Sequence, residues 1–257
     1  MLVGPGLSVD RPCVFLFSME TGQRIGVDGC RGGWFAVAVD VAGTVRCRRF
    51  ACFADLVAES GHGARIGVDI PVGLPSHDLP FRECDRAARR LLGRGLTSRV
   101  FSPPSRHALA AACYREACAA NRAEVGKALS LQSFHIMAKI REVDTFLRQH
   151  PAAAARILEF HPELVFMRLN GGVPVRMSKK RRAGRDMRLA LIAGRSREVE
   201  SACEAAFLGF PRRNVARDDI LDAAAIAVAL HEPAALRTAV PAPAPRDHAG
   251  LPMQIHY

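Results

Sequence analysis

Three groups of aspartates carry the chemistry open to this chain. The tetrapeptide Ile-Gly-Val-Asp occurs twice, at residues 25–28 and 66–69, and each copy closes an apolar run on an acid, Asp28 or Asp69. A third group, Asp218, Asp219 and Asp222, opens the apolar stretch Arg-Asp-Asp-Ile-Leu-Asp-Ala-Ala-Ala-Ile-Ala near the C-terminus. Short apolar runs bounded by turn signals predict buried strands, and the C-terminal ends of such strands border the ligand crevice of an open α/β sheet. Carboxylates gathered from distant parts of a chain repel one another and are costly to desolvate, so a divalent cation is the reason to collect them. Asp219 and Asp222 stand i, i+3 on one helix face, where both can point at the strand ends. The expected ligands are Asp28, Asp69, Asp219 and Asp222, holding two Mg²⁺ or Mn²⁺ ions about 3.5–4 Å apart for hydrolysis of a phosphodiester. Glu159, at the end of a further short strand, is the expected fifth acid or general base, and His161 the candidate proton shuttle.

Each acid also has an ordinary structural reading. Asp28 could open the turn Gly29-Cys30-Arg31-Gly32-Gly33, and Asp69 could form a buried ion pair. Asp218 reads better as the N-cap of a final helix over 219–230 than as a ligand, and Asp219 and Asp222 complement a helix N-terminus. Asp222, inside the apolar stretch, favours a functional role.

The elements that must position these acids follow from the pattern. Trp34–Asp40 and Val45–Phe50 read as hairpin strands, Phe53–Ser60 as a helix, and the second Ile-Gly-Val-Asp run as a strand parallel to the first after that crossover. Residues 81–150 are helical and polar-rich, with apolar residues at helical spacing from Leu129 to Leu147. Arg156–Phe160 is a short strand, Pro162 starts a helix that Gly171-Gly172 ends, and Ser178–Ala193 and Ser196–Leu208 are further helices. Residues 1–22 read as a loose extension, 23–231 as one α/β domain, and 232–257 as a Pro- and Ala-rich extended arm.

The net charge is +11 at pH 7, with 49% hydrophobic and 24% charged residues, ordinary for a globular chain apart from its sign. Only four of the 36 basic residues are lysine. Seven basic residues cluster between Arg176 and Arg188, which is either a solvated helix face or a phosphate contact. Arg82, Arg89, Arg106, Lys139, Lys179 and Lys180 are the expected substrate-binding residues. The eight cysteines form no C-x-x-C pair and read as reduced thiols. No run reaches the length of a membrane span and no signal-peptide pattern opens the chain, so no membrane partner and a cytoplasmic location are expected.

The chain resembles domain-of-unknown-function family 429, described as predicted RNase H-like nucleases. The resemblance rests on Val27-Asp28-Gly29-Cys30-Arg31-Gly32-Gly33-Trp34, on Val68-Asp69-Ile70-Pro71-Val72-Gly73-Leu74-Pro75, and on Arg82 with Cys84-Asp85 and Ala88-Arg89. It continues through Val100-Phe101, Gln132, Lys139-Ile140, Glu159 with His161-Pro162-Glu163, Ser178-Lys179-Lys180, and Asp218 to Ala223. It implies an RNase H-like mixed five-stranded sheet in order 3-2-1-4-5 flanked by helices, with a helical insertion between strands 4 and 5. Within that group the pair Asp219 and Asp222 is similar to the final-helix acids of RuvC-type junction resolvases, whose second acid is often Glu where this chain has Asp69. The implied activity is metal-dependent cleavage of nucleic acid, DNA or RNA. Two rivals are a catalytically silent nucleic-acid-binding protein and a hydrolase or phosphotransferase acting on a small phosphorylated metabolite. The Asp28–Gly33 turn also resembles the first phosphate loop of the sugar-kinase and actin superfamily, which needs two such sheets where this chain supplies one.

Overall fold

Strand β1 (Arg24–Cys30) alternates in register with its neighbours, placing Ile25 and Val27 on one face of the sheet and Gly26 and Asp28 on the other. The computed structural model describes residues 22–233 and 237–257; the expected loose extension lies, but for Gly22, outside the described residues. β1 turns through Arg31-Gly32 into β2 (Gly33–Val39), whose seven residues are all buried, and β3 (Val45–Phe50) forms the outer edge. Gly32 takes φ +72°, the left-handed conformation that a two-residue hairpin demands. The glycine-rich segment is therefore a hairpin tip.

Helix α1 (Phe53–Glu59) crosses to β4 (Arg65–Val68), which lies parallel to β1. The two Ile-Gly-Val copies are direct register partners: Ile25 with Ile66, Gly26 with Gly67, Val27 with Val68. The next strand, β5 (Ile157–Glu159), adds in parallel to β4, giving the order 3-2-1-4-5 with only β2 antiparallel to its neighbours. The fold is that of the RNase H-like arrangement expected.

Between β4 and β5 the insertion forms α2 (Glu83–Leu92), α3 (Tyr114–Val125), α4 (Leu131–His135), α5 (Met137–Gln149) and α6 (Pro151–Ala154). Met137, Ile140, Val143 and Leu147 place one stripe of α5 on the sheet face carrying Ile25, Val27, Ile66 and Val68. The insertion thus supplies part of the core, and Glu142 fixes it by accepting from Trp34 Nε1 at 3.0 Å.

The other face is covered by α7 (Pro162–Leu169), α8 (Arg182–Ala193), α9 (Arg197–Gly209) and α10 (Arg217–His231). α10 lies directly on β1, its residues Ile220–Leu230 buried without interruption. It begins earlier than its sequence suggests. Ala216 holds the extended N-cap conformation, Asp218 is not the cap, and Asp219 accepts from the Ala216 amide at 2.8 Å. α8, by contrast, starts late, at Arg182 rather than Ser178, because residues 177–181 fold back over its first turn. There Gly184 leaves room: a Cβ at that position would sit 2.1 Å from the Ser178 carbonyl oxygen.

The C-terminal residues, expected to form an extended arm, pack back onto the domain. β6 (Ala239–Val240) pairs with β7 (Ile255–His256), His256 bridges to Phe160, and Leu251, Met253, Ile255 and Tyr257 are buried. Asp247 accepts from the Leu74 amide at 2.9 Å and pairs with Arg106 at 2.6 Å. The seven cysteines among the described residues are free thiols. No described helix is long and apolar enough to cross a membrane.

Candidate metal centre

The glycines of the repeated tetrapeptide decide where the acids meet. A Cβ on Gly26 would sit 2.0 Å from the Ala223 carbonyl oxygen and 2.4 Å from the Ala227 nitrogen. One on Gly67 would lie 2.4 Å from the Ile226 side chain. Two facing glycines let the backbone of α10 approach the sheet as no side-chain-bearing residue would. Asp222, in the second turn of α10, is carried by this contact to the ends of β1 and β4. Asp28 shares the face of Gly26, and Asp69 follows β4 with its amide still donating to the Val27 carbonyl at 3.0 Å.

The result is a cluster in which Asp28, Asp69 and Asp222 each offer a carboxylate oxygen within 4.8 Å of the other two. Asp222 is fully buried, while Asp28 and Asp69 keep partial exposure. Burial raises the Asp28 carboxyl well above its ordinary range, and Asp69, Asp222 and Asp219 push it the same way. Asp69 is pushed up to about 8 by burial and then by Asp222. Asp219 rises to about 6, again chiefly through burial. Asp222 is raised by burial, against the opposing pull of Lys179.

Lys179 is the counter-charge. Its ammonium is ion-paired with Asp222 Oδ2; burial opposes the charged form, yet Asp222, Asp28 and Asp69 hold it protonated above the ordinary range. The backbone that delivers it is fixed by Arg188, which donates to the Met177 carbonyl at 2.9 Å. The second oxygen of Asp222, Oδ1, is buried with no hydrogen-bond partner. A buried carboxylate oxygen without a donor is costly, and Asp222 shares its cluster with two further carboxylates. Among the described residues Asp28 Oδ1 accepts only from the adjacent Gly29 amide, at 2.7 Å. Three convergent, hard oxygen donors with an unsatisfied lone pair fit Mg²⁺ or Mn²⁺.

The other predicted residues divide. Asp219 sits beside the cluster, but one of its oxygens is spent on the α10 N-terminus. Glu159 is not brought to it. Its register partner is Val68, so its side chain leaves the opposite face of the sheet from Asp28 and Asp69. There it accepts from the Val72 amide at 2.7 Å and pairs with Arg82; burial and Asp85 raise its carboxyl, against the pull of Arg82, to about 7. Cys84, Asp85 and Glu159 also lie within ligand reach of one another, but Arg82 already bridges the two acids.

Arg82 is therefore corrected as a substrate-binding residue, since it is buried and its two terminal nitrogens are bonded to Asp85, Glu159 and the Val72 carbonyl. Arg106 is likewise a tie between Asp144 and Asp247, at 2.7 and 2.6 Å. Lys139 donates to the Gly33 carbonyl and lies 4.2 Å above the Trp34 ring, bracing the hairpin. Arg89 bonds the Val100 carbonyl and the Ser102 hydroxyl, at 3.0 and 2.9 Å. The basic run splits: Arg188 is fully buried against Glu163, Lys179 is in the cluster, and Lys180 and Arg182 are exposed.

A cavity of about 300 Å³ opens on the cluster, lined by Asp69, Asp222, Lys179, Lys180, Arg99 and His161 among others. His161 Nε2 donates to the Arg99 carbonyl at 3.3 Å, which leaves Nδ1 a bare, buried acceptor without a partner. Burial lowers this imidazole to about 4, so it is neutral near pH 7. The pairing of Lys179 with Asp222 has no local sign in the sequence, since the two lie 43 residues apart.

Residues 26–246 match the protein family described as "Protein of unknown function (DUF429)". No curated protein and no solved structure matches the chain.

Proposed function

The chain belongs to the DUF429 family, and from its acidic cluster we propose that it is a divalent-metal-dependent phosphodiesterase acting on nucleic acid. One observation carries the reading: Asp28, Asp69 and Asp222 come from two strand ends and one helix, yet present oxygens within 4.8 Å of one another. An arrangement this costly in metal-free form is accounted for by a bound cation.

Asp28, Asp69 and Asp222 would hold Mg²⁺ or Mn²⁺, with Asp219 beside them. The metal would supply an activated water and neutralise charge on the phosphodiester. The chain does the rest. Lys179, within the cavity, offers a cation to a non-bridging phosphate oxygen, and Lys180 extends that charge to the rim. His161 Nδ1, an acceptor without a partner, can receive a hydrogen bond from water or from a substrate hydroxyl on the same wall. Its neutrality keeps it an acceptor through the physiological range. Glu159 and Arg82 act at one remove, fixing the Pro71–Val72 turn that follows Asp69. The free thiols support a reducing, cytoplasmic setting.

The test is hydrolysis of labelled single-stranded and duplex DNA and RNA with Mg²⁺ or Mn²⁺, comparing the natural chain with Asp222→Asn. Cleavage lost in EDTA and in the variant is the expected result. Hydrolysis of small phosphomonoesters with no cleavage of any nucleic acid would replace the reading with a metabolite substrate.

A further inference from the structure

A second, larger cavity adjoins the cluster on the insertion side. Its volume is about 610 Å³, and it shares Ser98, Phe101 and Gln132 with the cavity that opens on Asp69 and Asp222. The two are therefore neighbours along one wall, the first holding the aspartate cluster with its lysines and the second carrying cations. Besides Arg82, which is spent on Asp85 and Glu159, the cations Arg86, Arg89 and Lys127 line this basic end. Among the described residues Arg89 and Lys127 form no ion pair, although the Arg89 charge acts on the nearby Asp85, and Arg86 pairs with the exposed Glu83 at 2.8 Å. Asp85, the acid in the lining, is consumed by buried Arg82.

These cations are positioned in advance. Phe81, 40% exposed at the cavity, carries the Arg86 guanidinium 4.2 Å and the Lys127 ammonium 4.4 Å from its ring centroid. Such cation–π contacts hold flexible side chains in place without neutralising them. Arg89 is held by the Val100 carbonyl and Ser102. A surface that fixes three positive charges around a polar cavity is built for a ligand with several negative charges. The volume suits a small-molecule-sized segment, within the usual range of about 300–1,000 Å³. A duplex, whose major groove alone is about 12 Å wide, is too broad to enter.

We infer that the basin of Arg86, Arg89 and Lys127 holds backbone phosphates of a single-stranded nucleic acid next to the phosphodiester at the acidic cluster. This rests on the proposed function and narrows its substrate to single strands. Phe81 is a positioning residue for two of the three cations.

The test is fluorescence anisotropy with a short labelled single strand and the matching duplex, in Ca²⁺ and again in EDTA, over a salt series. Arg86→Gln with Lys127→Gln removes two exposed charges, and circular dichroism checks that the fold is kept. The natural chain should prefer the single strand. In the double variant the slope of log K against log salt should flatten by about 0.7 for each phosphate no longer neutralised, with affinity falling about five-fold per phosphate at 0.1 M salt. Phe81→Leu should weaken binding while leaving the number of charges unchanged. Unchanged affinity and slope in the double variant would overturn the inference and leave the proposed function standing. Equal or tighter binding of duplex would also overturn it. No binding of either probe in either condition at low salt would overturn both.

Discussion

Gly26 and Ala223 are in backbone contact across the sheet–helix interface, so close that a Cβ on Gly26 would fall 2.0 Å from the Ala223 carbonyl oxygen. Ala223 follows Asp222 in the chain, so the same contact that packs α10 also sets the distance from Asp222 to Asp28. Gly26→Ala cannot be absorbed by a side-chain rotation, because the obstructing atoms are backbone. It should destabilise the fold by about 3 kcal/mol, the upper end of overpacking costs, and blunt any metal-induced rise in Tm even where the protein is folded. Gly209→Ala, with nothing within 4 Å of the added carbon, should stabilise by up to about 1 kcal/mol. Thermal melts of the two variants check both.

The acids make stability depend on pH in a direction opposite to that of salt-bridged carboxylates. Asp69 has its folded-state pKa raised from 3.8 to about 8. Between those values the folded protein holds a proton that the unfolded chain has released, so metal-free stability falls as pH rises. Asp69→Asn removes this penalty. In EDTA the Tm of the variant should gain on that of the natural chain from pH 4 to pH 8 and keep a constant lead above that. A gap that does not change with pH would show that Asp69 titrates normally.

The basic run from Arg176 to Arg188 should behave as two different things. Arg188 is fully buried and bonds both oxygens of Glu163, at 2.8 and 2.9 Å. Arg188→Ala leaves a buried carboxylate with only one of its two arginines, Arg99 at 2.6 Å, and removes a fully buried side chain, so it should cost about 3 kcal/mol. Arg182, 90% exposed in its side chain, should change stability by less than about 0.5 kcal/mol when replaced by Ala. Urea denaturation of both variants separates the core residue from the solvated face.

Much of the site is readable in the sequence because it lies on a repeat. Two Ile-Gly-Val-Asp runs that become register partners bring Asp28 and Asp69 to one edge on one face, and the i, i+3 spacing within α10 directs Asp222 toward them. Glu159 illustrates where that reasoning stops. Being at a strand end does not say which face a side chain leaves from, and a shift of one residue in register reverses it. Its pairing with Val68 turns it to Arg82. Arg82 and Arg106 look like surface cations in a basic chain; Arg82 has a local acid in Asp85, but the acids that tie the two arginines across the fold, Glu159 and Asp247, lie 77 and 141 residues away, beyond any local pattern. The tail from 237 lacks periodicity because it packs by irregular backbone contacts and isolated apolar residues such as Met253 and Tyr257, not by one face of an element. Lys179 is hidden for another reason: its position depends on Gly184, which lets residues 177–181 fold back over α8.

The central claim is that Asp28, Asp69 and Asp222 form a divalent-metal site whose resting counter-charge is Lys179. Anomalous diffraction from crystals soaked in Mn²⁺ tests it most directly. The account predicts an anomalous peak bounded by carboxylate oxygens of all three aspartates, Asp222 Oδ1 among them, with the Lys179 ammonium moved off Asp222. No peak between these residues at saturating Mn²⁺, with the Lys179–Asp222 pair intact, would contradict it.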